Sequence, residues 1–413
     1  SSPKFSKNFF CIAAKVKKEG WPAHWKCFVN FAPDNKLILR ILVNTRLLLP
    51  GRLDGIGWFS HETLSRIVKN HPEHEFIFVF DRQYHPTYIY GPNVTPVVAF
   101  PQARHPLLFL IWFEISLPWI MHRYKPDLFL SPDGYVSLSA HIPTLAVIHD
   151  LNFEHRPGDL PFFARNYYRF FFKRFARKAK RIATVSEYSR QDISLQYSIN
   201  PEKIDVVYNG ASEGFRPLSR DEIEHTRQNY SEGKPYFLFV GSLHPRKNLI
   251  NLFTAFDLFK IQTGSSHKLL IAGGRQWWTH ELQTSFDKMK YKKDVVFTGR
   301  VSDDTLHRLT ASAFALTYVS FFEGFGIPII EAMQSGVPVI TSNVTSMPEV
   351  AGDAALLANP YDPVTIATAM QQLYYDENLR QSLIGRGFER ARLFSWDRSA
   401  ELLWNSISKT MTQ

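Results

Sequence analysis

One stretch of this 413-residue sequence does most to limit what the chain can become. Residues 318–341 read Y-V-S-F-F-E-G-F-G-I-P-I-I-E-A-M-Q-S-G-V-P-V-I-T. The apolar run 314–319 predicts a buried strand. A polar turn with glycines follows: Ser320, Glu323, Gly324 and Gly326. Pro328 stands where a helix can begin, because the amide it lacks would be unpaired in a first turn. Ile329, Ile330 and Met333 carry the helix on, and Gly336 ends it. Residues 337–340 then predict the next strand. A helix that starts directly after a glycine turn presents free amides and the positive end of its dipole, which suits an anion. Gly324 and Gly326 let a ligand approach the backbone.

Glu323 and Glu331 bracket the turn. A carboxylate only accepts hydrogen bonds, so it suits hydroxyl groups and not phosphate. A ligand with phosphates in the middle and hydroxyl-rich sugars at both ends fits this arrangement. The other reading is that Glu331 completes a helix N-terminal charge pattern and Glu323 is a solvated loop residue.

A second anion site is predicted at 241–248, G-S-L-H-P-R-K-N, directly after a strand at 236–240. Gly241 ends the strand, and Arg246 and Lys247 open the following helix. They are either a phosphate site or two exposed basic residues on a loop. Strands at 268–272 and 295–298 end in Gly273-Gly274 and in Gly299-Arg300-Val301, on the same sheet edge as the central turn. Backbone groups there suit a nucleobase.

The first half of the chain repeats the pattern. Residues 37–49 predict a buried strand; Gly51, Gly55 and Gly57 follow, then a helix over 58–69 and a strand over 76–80. Strand, glycine loop, helix and strand form a Rossmann-like unit, although the loop lacks the G-x-G-x-x-G spacing. Further strands are expected at 127–130, 144–149, 181–185 and 204–208. His149 stands at a strand's carboxyl end, where ligands of parallel sheets bind; alternatively a neighbouring backbone group satisfies it. Residues 164–181 predict a helix with Phe163, Tyr167, Phe171 and Phe175 at four-residue spacing, and with Arg165, Arg169, Lys173, Arg177 and Lys180 on another face. Such a helix either meets an anionic membrane surface or packs an aromatic stripe into the core.

These motifs resemble glycosyltransferase family 4. E-G-F-G-I-P-I-I-E matches its E-x7-E signature, 241–248 its phosphate-binding pattern, and S-M-P-E-V-A-G-D-A-A-L-L at 346–357 a further segment. S-E-Y-S-R at 186–190, then Pro201, Lys203, Ile204 and Asn209-Gly210, fall in the family's order. The resemblance covers about residues 37–409. It implies an α/β chain of GT-B architecture, two Rossmann-like domains facing across a cleft. The implied domains are an acceptor domain at 37–216, a linker at 217–234, a nucleotide-sugar domain at 235–394, and a last helix at 395–413 that packs back on the first domain. It implies transfer of a hexose, of mannose or glucose type, from a nucleotide diphosphate sugar to an acceptor hydroxyl with retention of configuration. By the same resemblance Glu331 holds the ribose, Glu323 and His149 contact the transferred sugar, and Arg246, Lys247 and the turn amides at Gly326, Ile327 and Ile329 stabilise the leaving diphosphate. The Gly55-Ile56-Gly57 loop faces the cleft near the acceptor, a glycan or lipid-linked glycan. No cofactor is implied beyond the donor substrate. No D-x-D pair occurs, so metal-independent catalysis is expected. A nucleotide-sugar epimerase can share this fold.

Composition adds partners. The net charge of +10 favours anionic ligands, acidic lipid or nucleic acid, although no nucleic-acid motif is present. Two cysteines, Cys11 and Cys27, form no disulfide framework or zinc spacing. Residues 1–36 carry seven lysines against Glu19 and Asp34 and are unassigned. Residues 107–121 are too short for a spanning helix and carry Glu114 and Pro118. A cytoplasmic protein, in possible peripheral contact with the membrane's inner face, is expected.

Overall fold

The structure, a computed structural model, describes residues 38–412 apart from Arg52. The reading of residues 1–36 falls outside them. Two parallel sheets organise these residues. The first has seven strands: β1 (Arg40–Asn44), β2 (Glu75–Phe80), β3 (Val94–Val98), β4 (Leu128–Ser131), β5 (Thr144–Val147), β6 (Arg181–Thr184) and β7 (Ile204–Val206), in the order β3-β2-β1-β4-β5-β6-β7. The second has six: β8 (Tyr236–Val240), β9 (Lys268–Ala272), β10 (Val295–Gly299), β11 (Ala315–Tyr318), β12 (Val339–Ser342) and β13 (Ala355–Ala358), in the order β10-β9-β8-β11-β12-β13. This is the GT-B arrangement.

The central strands are unbroken apolar runs, such as Y-F-L-F-V in β8, because helices cover both faces. Chain order reverses between β1 and β4 in one sheet and between β8 and β11 in the other. In open α/β sheets the crevice at the carboxyl ends beside such a reversal is where ligands bind.

Several boundaries differ from expectation. Of the run 37–49 only Arg40–Asn44 is strand. After it Leu48 donates its amide to the Thr45 carbonyl, so the remaining leucines fold into a turn. Strands β3 and β13 escape the sequence pattern. Both lie at sheet edges and are only half-buried, and β3 contains Pro96, which an edge strand tolerates. Residues 220–231 form a helix with a complete capping box from Ser219 and Glu222. Arg227 ties that helix to the Ser312 carbonyl at 2.9 Å.

The last helix, Trp396–Thr412, crosses to the first sheet's side. It packs on Gly55–Asn70, with Trp404 stacked on His71 at 3.6 Å. Lys409 pairs with Asp205 at 2.9 Å and Arg66 with Asp397 at 2.5 Å. A Cβ at Gly210 would strike the Trp396 backbone, so this crossing needs a glycine there.

Candidate active site

Lys247 and Glu323 come from loops that leave β8 and β11, neighbours at the second sheet's reversal. The loop after β8 makes a single helical turn, Pro245–Lys247, which turns Arg246 and Lys247 back toward β11. Arg246 Nη1 lies 2.8 Å from Glu323 Oε2, and Lys247 Nζ lies 2.7 Å from Oε1. The guanidinium also donates to the Phe322 carbonyl at 3.1 Å, and Lys247 Nζ donates to the Tyr318 hydroxyl at 2.5 Å. Lys247 and Glu323 are buried. The picture of two exposed basic residues on a loop is therefore excluded for Lys247. The ammonium's aligned hydrogen bond goes to Tyr318, and its contact with Oε1 is an ion pair.

Charge follows from this packing. Burial alone would raise the Glu323 pKa, but Arg246 and Lys247 hold it down at about 2. Burial lowers Lys247 to about 8, since it shares its one carboxylate with a guanidinium. Burial works against Arg246 too, but Glu323 and Asp150 carry its pKa upward. The cluster thus sets two cations on one shared carboxylate, with Asp150 as a further negative charge acting on both.

The first sheet meets this cluster directly. A Cβ on Gly324 would lie 2.5 Å from the His149 carbonyl and 2.8 Å from the Asp150 Cβ, so only glycine fits. Ser186 Oγ donates to the Gly324 carbonyl at 2.7 Å. Glu349 accepts from the amides of Glu187 at 2.7 Å and Tyr188 at 2.9 Å, capping the helix Glu187–Tyr197 from the opposite side. His149 Nε2 donates to the Pro132 carbonyl at 2.9 Å, which leaves Nδ1 as the acceptor. Burial lowers the His149 pKa, so the ring is neutral near pH 7.

Two sequence patterns match this chain. The one described as Glycosyl transferases group 1 covers residues 221–390, and Glycosyltransferase Family 4 covers residues 54–213. O-antigen chain mannosyltransferase B of Escherichia coli is 32% identical over 280 residues, 68% of this chain and 73% of that protein. The chain belongs to glycosyltransferase family 4. O-antigen chain mannosyltransferase RfbU of Salmonella typhimurium is 33% identical over 55% of this glycosyltransferase and 59% of its own length. Solved structures share the fold at lower identity. Sucrose-phosphate synthase from Thermosynechococcus elongatus gives a TM-score of 0.74 at 18% identity, over 90% of this chain and 98% of that one. WaaG, a glycosyltransferase involved in lipopolysaccharide biosynthesis, gives 0.70 at 15% identity over 87% and 97%.

The remaining expected residues of this glycosyltransferase divide. Gly326 has φ +102° and caps the helix Ile327–Gln334, which no side chain caps. The Ile329 amide already donates to the Gly326 carbonyl at 3.0 Å, so it is not a free anion donor as expected; its side chain is core. Gly241 (φ +140°) and Gly273 touch: a Cβ on Gly273 would run into the Gly241 carbonyl. Arg300 is exposed and reaches the Gly51 carbonyl at 3.3 Å, while Val301 is half-buried. Gly57 differs most. Its amide is taken by the Asp54 carboxylate at 2.9 Å, and a Cβ there would meet Leu53 and the Leu47 carbonyl. Gly57 thus packs against its own chain, and Gly55 is the open position of that loop. Tyr318, Asp150 and Glu349 join the site without having been singled out. Tyr318 read only as part of a buried strand, and Glu349 only as part of the 346–357 motif.

Proposed function

We propose that this glycosyltransferase moves a hexose, mannose in the first instance, from a nucleoside diphosphate sugar to an acceptor hydroxyl of a growing polysaccharide, with retained configuration. The observation that carries the reading is the cluster of half-buried Arg246 with buried Lys247 and Glu323. As the bond from C1 to the phosphate oxygen breaks, negative charge grows on the diphosphate, and the cations of Arg246 and Lys247 stabilise it. Glu323 is held ionised, the form that accepts from a sugar hydroxyl. His149 Nδ1 offers a second acceptor from the first sheet. Two relatives at 32% and 33% identity are named mannosyltransferases, and the fold-related HepE from Anabaena has been solved with UDP-glucose. The second sheet's loops carry the donor, and the first sheet's side faces the acceptor.

The test is a donor screen, scored by nucleoside diphosphate release in the presence of EDTA, with product linkage read by NMR. A mannose nucleotide is expected to turn over and to give an α-linked product. Loss of turnover on chelation, restored by manganese, would contradict metal independence. Interconversion of donor sugars without transfer would point to an epimerase.

Glu331 carries a pH prediction on the same reading. Desolvation of its half-buried side chain, with Asp303 nearby, pushes its carboxyl up to about 8, and no cation among the described residues offsets this. Ribose hydroxyls need the ionised form as acceptor, so protonation competes with binding. Donor affinity should fall about tenfold per pH unit below about 8 and level off above it, as one linked proton requires. The intact donor is the right probe, since its diphosphate does not titrate there. Calorimetry between about pH 6 and 9 reads the slope, and Glu331→Gln should flatten it. A pH-independent affinity in the unaltered protein would remove Glu331 from the ribose site.

A further inference from the structure

We infer that two adjoining helices beside the first sheet form a docking surface for an anionic lipid bilayer. Pro106–Ile111, a π-helical turn Trp112–Ser116 and Leu117–Tyr124 run on as one helix. Leu107, Ile111, Ile115 and Trp119 are all exposed on it. Four-residue spacing drifts by about 40° per step on a regular helix; the wider π turn takes part of that back and keeps the stripe on one side. Glu114, the one acid of this helix, does not interrupt the stripe. It turns inward and accepts from the amides of Leu138 at 2.7 Å and Ser139 at 3.0 Å.

The helix Phe162–Lys178 packs beside the first one through Phe109 and Tyr167. Here the expected aromatic face splits. Tyr167 and Phe175 are buried in the core, and Phe171 packs against it, which bears out a core-packing stripe for those three. Phe163 is 79% exposed, with Phe162 and Phe170 exposed beside it. Phe100 adds another exposed ring, its carbonyl held by Ser116 at 2.5 Å. Eight of the eighteen exposed large hydrophobic side chains among the described residues thus lie between residues 100 and 170. A surface this apolar is unfavourable in water and marks a contact.

Charge decides the occupant. Three of the exposed rings carry a guanidinium: Arg123 lies 5.7 Å from the Trp119 ring, Arg165 5.4 Å from Phe162 and Arg174 3.5 Å from Phe170. A ring at the boundary of headgroup and acyl chain, with an arginine on a lipid phosphate, is how interfacial helices hold. The helix Phe162–Lys178 has six basic residues and no acid. Only Arg169 has an ion-pair partner among the described residues, Glu154 at 3.0 Å. A second copy docked on the same face would set this charge against itself, whereas anionic lipid complements it. No helix among the described residues is long and apolar enough to cross a membrane, so the contact is peripheral.

The surface deepens the proposed function, since a lipid-linked acceptor would be met there. It is nevertheless tested without donor, so failure here leaves the transferase reading standing. The full chain is sedimented with vesicles of phosphatidylcholine alone or mixed with phosphatidylglycerol, at low and high salt. Binding should favour the anionic vesicles and weaken with salt. Arg165→Gln with Arg174→Gln should weaken it by about fivefold for each charge removed. Ile115→Asp with Trp119→Asp should lower it by about tenfold or more. Ile115, Trp119 and Arg174 are exposed and Arg165 is half-buried, and unchanged melting temperatures verify the fold. Equal recovery on neutral and anionic vesicles, or variants that bind like the parent, would overturn the proposal. So would a change of oligomeric state in the aspartate pair, which would show that a second copy covers this face.

Discussion

Lys247→Met is expected to slow turnover at saturating donor by about 100- to 1,000-fold, the usual loss when one positioned electrostatic group is removed from a developing charge. Stability should change little, for a reason the structure supplies. Glu323 is shared between two cations. Removing the ammonium leaves a neutral Arg246–Glu323 pair, and methionine fills the space of the lysine stem. Steady-state kinetics beside thermal denaturation check this. Near-normal turnover with an unchanged melting temperature would exclude Lys247 from diphosphate stabilisation.

Glu323→Ala should behave in the opposite way on stability. It strands a buried lysine and a half-buried arginine without their shared carboxylate, and breaking a buried pair this way costs about 3–5 kcal/mol. Activity should be lost as well, since the sugar hydroxyl acceptor goes with it. The two cations left without Glu323 also predict a rescue. Inorganic pyrophosphate should raise the melting temperature of Glu323→Ala more than that of the parent, because a ligand that binds only the folded state stabilises it in proportion to its affinity. A variant as stable as the parent, with no pyrophosphate effect, would show that the three side chains are not coupled in solution.

Local features of this site were legible in the sequence. The apolar runs of β8, β9 and β11, the glycine turn before Pro328 and the paired basic residues at 246–247 each follow from rules that act over a few residues. Their meeting does not. Arg246 and Glu323 stand 77 residues apart and touch because β8 and β11 are neighbours in the sheet order, which no local pattern encodes. For the same reason two isolated readings, basic residues on a loop and a solvated glutamate, gave way to one buried cluster. Gly57 was expected at the cleft through the family resemblance; Asp54, three residues before it, is the local signal against a free amide there, as an N-cap that claims it. Residues 107–121 are too short for a membrane span, and as a surface helix they are harder to read from sequence. Their four-residue apolar spacing was visible, but which side faced solvent depended on Glu114 turning inward.

The most direct measurement is a pair of calorimetric titrations, with nucleoside diphosphate and with intact donor, on the parent, Glu331→Gln and Glu323→Gln. The account predicts that Glu331→Gln weakens both ligands above about pH 8, where the parent carboxylate is ionised, because both carry the ribose; a lost charged hydrogen bond is worth about 1.5–3 kcal/mol. Glu323→Gln should leave the nucleoside diphosphate bound as tightly or more tightly, since Arg246 and Lys247 are released from the carboxylate, while the intact donor loses affinity. Equal weakening of both ligands by both variants would contradict the assignment of ribose to Glu331 and of the moving sugar to Glu323.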